Sequence, residues 1–210
     1  MFNNYTMDWY SCWTDRNLFW EMHRAPPETV RLVKEKVTLR DDVTAGRGLV
    51  PGMGSGHDAF VLAGIPRMKT VVGLDLSPLA VTAAQQLLET QAVANVQVEF
   101  MVADFFQHAP EIKYDVILDH TFLCAIEPSR REEWASKISS LLVEGGILIT
   151  YMFPLGSHQG GPPFALSVDT YLRLLSSTFD LEYIKDVEQP FHLWKKTDGE
   201  KIAIWRRNTK

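Results

Sequence analysis

Three glycines at alternate positions, Gly52, Gly54 and Gly56 in LVPGMGSGHD, stand between a short apolar run and a helix-like segment. A strand, a tight turn and a helix N-terminus in that order make a cradle for a ligand. Glycine tolerates positive φ there, and without a Cβ it lets the backbone come close to a bound molecule. About twenty residues on, Asp75 ends a second apolar run, VVGLDLS, where a carboxylate accepts hydrogen bonds from ribose hydroxyls. A further acid, Asp104 in ADFF, follows a third apolar run and suits an adenine amino group, with a turn cap as its alternative role. The loop reads G-x-G-x-G, with His57 where a dinucleotide fingerprint wants its third glycine, so a dehydrogenase is disfavoured. Glycine loop, ribose acid and adenine acid together favour S-adenosylmethionine.

Other side chains with chemical potential are less organised. Trp9, Trp13 and Trp20 are spaced to lie within about 40° of one another on an uninterrupted helix, so they can form one apolar face, in the first instance a lid on the core. Cys12 and Cys124 lie far apart with no histidine at ligand spacing, which suggests neither a disulfide nor zinc, and both are expected as small buried apolar residues. His23, His108, His158 and His192 show no metal-site spacing and are expected in solvated positions. Arg130 and Arg131 stand beside Glu127, Glu132 and Glu133, as on a solvated helix start. In GGPP, Gly160 and Gly161 precede the stiff pair Pro162 and Pro163, as a loop bordering a pocket would.

The elements that position these residues alternate. Short β-like runs at Gly48–Val50, Thr70–Leu74, Val96–Val102, Tyr114–Leu118 and Gly146–Tyr151 enclose helical stretches at Asp58–Ala63, Pro78–Gln91 and Ser129–Leu142. That pattern builds parallel βαβ units and a sheet covered by helices on both faces. Pro26 and Pro27 are expected to start a helix, Ser77 to cap one, and Gly145 with Gly146 to end the one before the fifth strand. After a helix near Asp169–Ser177, two runs at Leu181–Val187 and Lys201–Trp205 have no convincing helix between them and suit an antiparallel pair at the sheet edge. The glycine loop, Asp75 and Asp104 all follow strands and should meet at one rim.

The 210 residues show no repeat or linker and read as a single domain, 1–210, with an aromatic N-terminal segment over residues 1–33. A net charge of -5 gives no global pull toward nucleic acid. No apolar run approaches the length of a membrane span, and MFNNYTMDWYSCW lacks the features of a secretory signal, so a cytoplasmic location is expected.

The stretches LVPGMGSGHD, VVGLDLS, LDHTFLCAIEPSRREEWASKISSLL, ITYMFPLGSHQGGPPF and GEKIAIWRR resemble the thiol and halide methyltransferases of the thiopurine methyltransferase superfamily, over about Trp9 to Arg207. The resemblance implies a Rossmann-like class I methyltransferase: a seven-stranded, mostly parallel sheet with an antiparallel last strand. It also implies S-adenosylmethionine as cofactor and S-adenosylhomocysteine as product. By position in the family pattern, Trp9, Trp13, Trp20, Gly52, Gly54, Asp75, Asp104, Phe105 and His120 would bind cofactor. His120 and Phe153 would be catalytic, standing where many relatives have tyrosine, as does Phe164. The implied acceptor is a small soft nucleophile: iodide, bromide, bisulfide or another thiol. A thiopurine-type enzyme for aromatic thiols and a cofactor-binding module without turnover are the alternatives. A thiol is already partly ionised at neutral pH and a halide carries no proton, so no dedicated base is required.

Overall fold

The computed structural model describes residues 9–15, 18, 20–91, 93–188, 191 and 197–209. Two helices, α1 (Trp9–Thr14) and α2 (Pro27–Lys36), precede the first strand. Then come β1 (Gly46–Pro51), α3 (His57–Ala63), β2 (Met68–Asp75), α4 (Pro78–Thr90), β3 (Gln97–Val102) and β4 (Tyr114–His120). The chain continues with α5 (Arg131–Leu141), β5 (Leu142–Met152), α6 (Val168–Leu175), β6 (Phe179–Asp186) and β7 (Lys201–Arg207). The strands form one sheet in the order β3-β2-β1-β4-β5-β7-β6. All pair parallel except β7, which runs antiparallel to both β5 and β6. This is the expected α/β architecture, including the inverted last strand.

Pleating explains how one sheet supports two cores. On β4, Ile117 joins a cluster with Trp134 of α5 and Tyr171 of α6, while Val116 and Leu118 join Leu32 of α2, Leu62 of α3 and Ala84 of α4. On β5, Leu148 faces the first cluster, and Ile147 and Ile149 face the second. Successive side chains point to opposite faces, so helices must cover both, and the central strands become unbroken apolar runs.

Three local expectations are corrected. Gly145 and Gly146 do not end a helix: α5 stops at Leu141, and the glycines lie within β5 where its register against β4 shifts between Tyr114 and Val116. Gly145, at φ 70, takes a conformation that few other residues adopt. Ser77 sits at the N-cap of α4 but makes no side-chain cap, and its own N–H donates to Asp75 Oδ1 at 2.9 Å. The tryptophans do not share one helix, since α1 ends at Thr14. Pro26 and Pro27 do open α2. Among the described residues no helix is long and apolar enough to cross a membrane.

Candidate active site

The carboxyl ends of five adjacent parallel strands deliver the candidate residues in spatial order: Asp104 after β3, Asp75 on β2, the glycine loop after β1, His120 on β4 and Phe153 after β5. The strand order reverses between β1 and β4, the place where an open parallel sheet forms a crevice. A cavity of about 480 Å³ opens there, and every one of the sequence-predicted site residues lines it. Those residues come from positions 9 to 153, so only the fold brings them together.

Each glycine of the loop has its own reason. Gly52, Gly54 and Gly56 all have positive φ, at 57, 56 and 84°. A Cβ on Gly52 would stand 2.3 Å from the Phe122 ring, and one on Gly56 would meet Ala84 and Phe100, so these two are glycines because the protein itself packs against them. Gly52 and Gly54 both line the cavity, and a Cβ on Gly54 would lie 3.0 Å from Glu21 Oε2 and 4.0 Å from Trp13. Its N–H donates to Asp75 Oδ2 at 3.0 Å. Asp75 thus accepts one backbone N–H on each oxygen, and each oxygen keeps a second lone pair for a ligand. Burial outweighs these bonds and raises its pKa.

Asp104 makes the turn cap considered for it and also lines the cavity. One oxygen accepts the Phe106 N–H at 2.8 Å. Phe105 is buried edge-on to both Phe106 and Phe122. Arg130 is more than a solvated helix start: it pairs with Glu133 at 2.7 Å and lies 3.7 Å above the Phe106 ring at the cavity wall. Arg131 is half-buried and donates to the Ala165 carbonyl at 2.9 Å. On the other side of the cavity, Trp9 and Trp20 meet edge to face with centroids 5.3 Å apart, and Trp13 lies near Gly54. The indoles therefore converge through chain reversal rather than helical periodicity.

His120, at the end of β4, is held by residues that the sequence patterns did not single out. Its Nδ1 lies 2.6 Å from Asp58 Oδ2 on the first turn of α3, and its ring packs 5.1 Å from Tyr151 and 6.1 Å from Phe191. Burial disfavours the imidazolium, but Asp58, with Asp119 and Glu200 beyond, more than offsets it and the pKa is raised. Glu200 is buried and accepts from Tyr151 Oη and from the Phe191 N–H. The next residue, Thr121, has φ 59, a strained conformation for a β-branched side chain, and its hydroxyl donates to the His120 carbonyl at 2.7 Å. Asp119 pins the turn from below by accepting from Phe122 N, Leu123 N and Trp134 Nε1 at 3.1, 3.2 and 2.9 Å. Full burial lifts its pKa to about 6.

The remaining expectations divide. Cys124 is buried and donates to the Thr121 carbonyl, and burial raises its thiol pKa, but Cys12 is only half-buried. His23 is exposed. His108 and His158 are half-buried instead, on Tyr114 Oη at 2.8 Å and the Pro163 carbonyl at 2.9 Å. His192 lies outside the described residues. Pro162, Pro163 and Phe164 border the cavity, as expected of the GGPP loop.

The lining fits a cationic nucleoside. Aromatic faces and five acidic residues, Glu21, Asp58, Asp75, Asp104 and Glu127, surround one space. Two of its lining residues, Ser55 and Asp58, each keep a buried side-chain oxygen, Oγ and Oδ1, with no hydrogen-bond partner among the described residues.

Residues 5–207 match the family model described as thiopurine S-methyltransferase. Thiocyanate methyltransferase 1 of Brassica oleracea is 35% identical over 199 residues, covering 95% of this chain and 84% of its own length. Probable thiol methyltransferase 2 of Arabidopsis thaliana is 34% identical over 209 residues, covering 100% of this chain and 88% of its own length. Thiopurine S-methyltransferase of Vibrio campbellii is 28% identical and covers 77% of each chain. The fold recurs in the structure of magnesium protoporphyrin IX methyltransferase from Synechocystis with bound S-adenosylhomocysteine, at a TM-score of 0.66 and 19% identity over 86% of this chain and 80% of that one.

Proposed function

We infer the reaction from one premise: the chain belongs to the thiopurine S-methyltransferase family and is an S-adenosylmethionine-dependent methyltransferase. We propose that it methylates a small soft nucleophile, with sulfur anions such as thiocyanate, bisulfide and thiolates first and iodide or bromide alongside. The observation that carries this reading is the single cavity in which cofactor-type residues and the Asp58–His120 pair share one wall. When bound, S-adenosylmethionine supplies a methyl carbon made electrophilic by its sulfonium. In the proposed arrangement Asp75 takes the ribose hydroxyls, Asp104 and Phe105 the adenine, and Gly52 and Gly54 pass close to the methionine portion. Trp9, Trp13 and Trp20 face the sulfonium, where an indole is worth about 0.5 to 2 kcal/mol.

At the acceptor end His120 and Phe153 border the approach to the methyl group. Paired with Asp58, which favours its imidazolium form, His120 attracts an anionic nucleophile and aims it. Phe153, only 6% exposed, and Phe164 supply dry walls that strip water from it. Alignment of this kind contributes about 7 to 11 kcal/mol to methyl transfer, with removal of the anion's water shell as a further help. No proton need leave a halide or a thiolate, so holding the nucleophile is the whole task of the site.

A second acceptor class, aromatic thiols, is favoured by the phenylalanines at the wall, Phe105, Phe106, Phe122, Phe153 and Phe164. One panel separates the two. The protein is incubated with S-adenosylmethionine and iodide, bromide, bisulfide, thiocyanate or thiophenol, and S-adenosylhomocysteine is followed. Highest turnover with the small anions is expected; highest turnover with thiophenol moves the assignment to aromatic thiols. Cofactor binding with no acceptor-dependent product would overturn the acceptor assignment. The reading places the enzyme in the cytoplasm, where its methyl donor is made.

A further inference from the structure

Glu21 follows the last of the three tryptophans and reaches across to the glycine loop. Consecutive N–H groups of that loop hold two carboxylates: Gly54 N donates to Asp75 Oδ2 at 3.0 Å and Ser55 N donates to Glu21 Oε2 at 3.2 Å. The other Glu21 oxygen accepts the His23 N–H at 3.0 Å. Among the described residues no lysine or arginine lies within ion-pair distance of Glu21. Two like charges thus converge on one turn of backbone at a cavity wall, and the charge of Glu21 adds to the burial that lifts Asp75. Such a pair is unfavourable until a cation enters it.

A second observation is independent of these two acids. Asp58, 8% exposed and lining the same cavity, keeps Oδ1 buried with no hydrogen-bond partner among the described residues. The cavity wall therefore carries carboxylates on the loop side, at Glu21 and Asp75, as well as beside His120, at Asp58.

We propose that Glu21 is the receptor for the α-ammonium of the cofactor's methionine portion. The proposal rests on the S-adenosylmethionine reading above. If Asp75 takes the ribose, only a short aliphatic chain separates that ribose from the ammonium, and Glu21 is the carboxylate held by the next N–H along the loop. Its site also ties the tryptophan segment to the loop, so recognition of the ammonium and closure of the aromatic face share one side chain.

The test compares three probes on the full chain by titration calorimetry. S-adenosylhomocysteine carries the ammonium, its deaminated analogue lacks only that group, and 5′-methylthioadenosine lacks the whole amino-acid end. Glu21→Gln is expected to weaken S-adenosylhomocysteine roughly tenfold while changing the other two by less than about twofold. Glu21→Asp, which keeps the charge, should recover part of the loss. In the unsubstituted protein, deamination alone should cost roughly tenfold, a measurement that needs no variant to fold. Equal losses for all three probes, or no loss for S-adenosylhomocysteine, would reduce Glu21 to a loop support and overturn the proposal while leaving the cofactor reading intact. Failure of the unsubstituted protein to bind any of the three would overturn both.

Discussion

His120 is where protonation and function meet. Four groups bear on its ring: Asp58 from α3, Asp119 below it on β4, Tyr151 on β5, and Glu200 just before β7, which holds Tyr151 Oη. Removing Asp58 leaves burial in command, and burial lowers the imidazole pKa. With iodide as acceptor nothing on the substrate titrates, so kcat/KM should fall as pH rises through the raised pKa of His120. Asp58→Asn should move that fall to lower pH, and an unmoved profile would separate the pair from catalysis. The same shift bears on stability. A histidine whose folded pKa exceeds its unfolded value, near 6.5, stabilises fully below that value, and the contribution is lost as pH rises through the folded pKa. The Tm gap between the unsubstituted protein and Asp58→Asn should therefore be widest below about pH 6.5 and narrow above it. Two substitutions probe the donor end. Asp75→Ala should weaken S-adenosylhomocysteine by about 1 to 3 kcal/mol in calorimetry, because ribose hydroxyls lose their acceptor. Trp13→Leu should weaken S-adenosylmethionine more than S-adenosylhomocysteine, by about 0.5 to 2 kcal/mol, because only the former presents a sulfonium to the indole.

At the scale of elements, the turn after β4 is the most constrained piece of the site. Thr121 is strained, and Asp119 holds the turn with three N–H donors in a fully buried position. Asp119→Ala would orphan all three, at a cost of about 1 to 3 kcal/mol each before relaxation, so a fall in Tm of many degrees is expected by thermal melting. The sequence did not mark this turn, because Asp119 reads as one acid in VILDH and its partner Trp134 lies on another helix. Asp58 escaped for the same reason: two positions beyond the last loop glycine it looks like an ordinary helix start, and His120 is 62 residues away. Asp75 and Asp104 were legible because strand, acid and turn are contiguous in sequence. The tryptophans were legible as a group but not in their mechanism, since helical spacing was expected and the chain reverses after Thr14 instead. Local signals found what local backbone positions; contacts across the sheet rim left none.

Taken whole, the molecule presents its chemistry along a single edge. Trp9, Trp13, Trp20 and Glu21 reach that edge from the N-terminal segment, and Glu21 ties the segment to the glycine loop. Cofactor binding should therefore slow amide exchange in residues 9–24 far more than in the buried strands β1 and β4, which hydrogen exchange with and without S-adenosylhomocysteine would reveal. Uniform protection across the chain would argue against a closing segment. The alternation of strand and helix made the sheet and its order of elements readable from the periodicity of apolar residues, while the inverted last strand was expected from the missing helix between the final two runs and from the family resemblance.

The reversal of β7 has one more consequence. Had β7 run parallel, its connection from β6 would have crossed back to the far edge of the sheet. Because it runs antiparallel, Asp186 and Lys201 pair at the near edge, and Phe191, which lies between the two strands in sequence, packs against His120. The ring beside His120 is thus supplied from the β6–β7 connection, and the glycine loop, Asp75 and Asp104 from the parallel crossovers. Doubling a connection costs only about 0.6 kcal/mol in closure entropy. A change of length between β6 and β7 therefore bears on the surroundings of His120 while leaving the glycine loop, Asp75 and Asp104 in place.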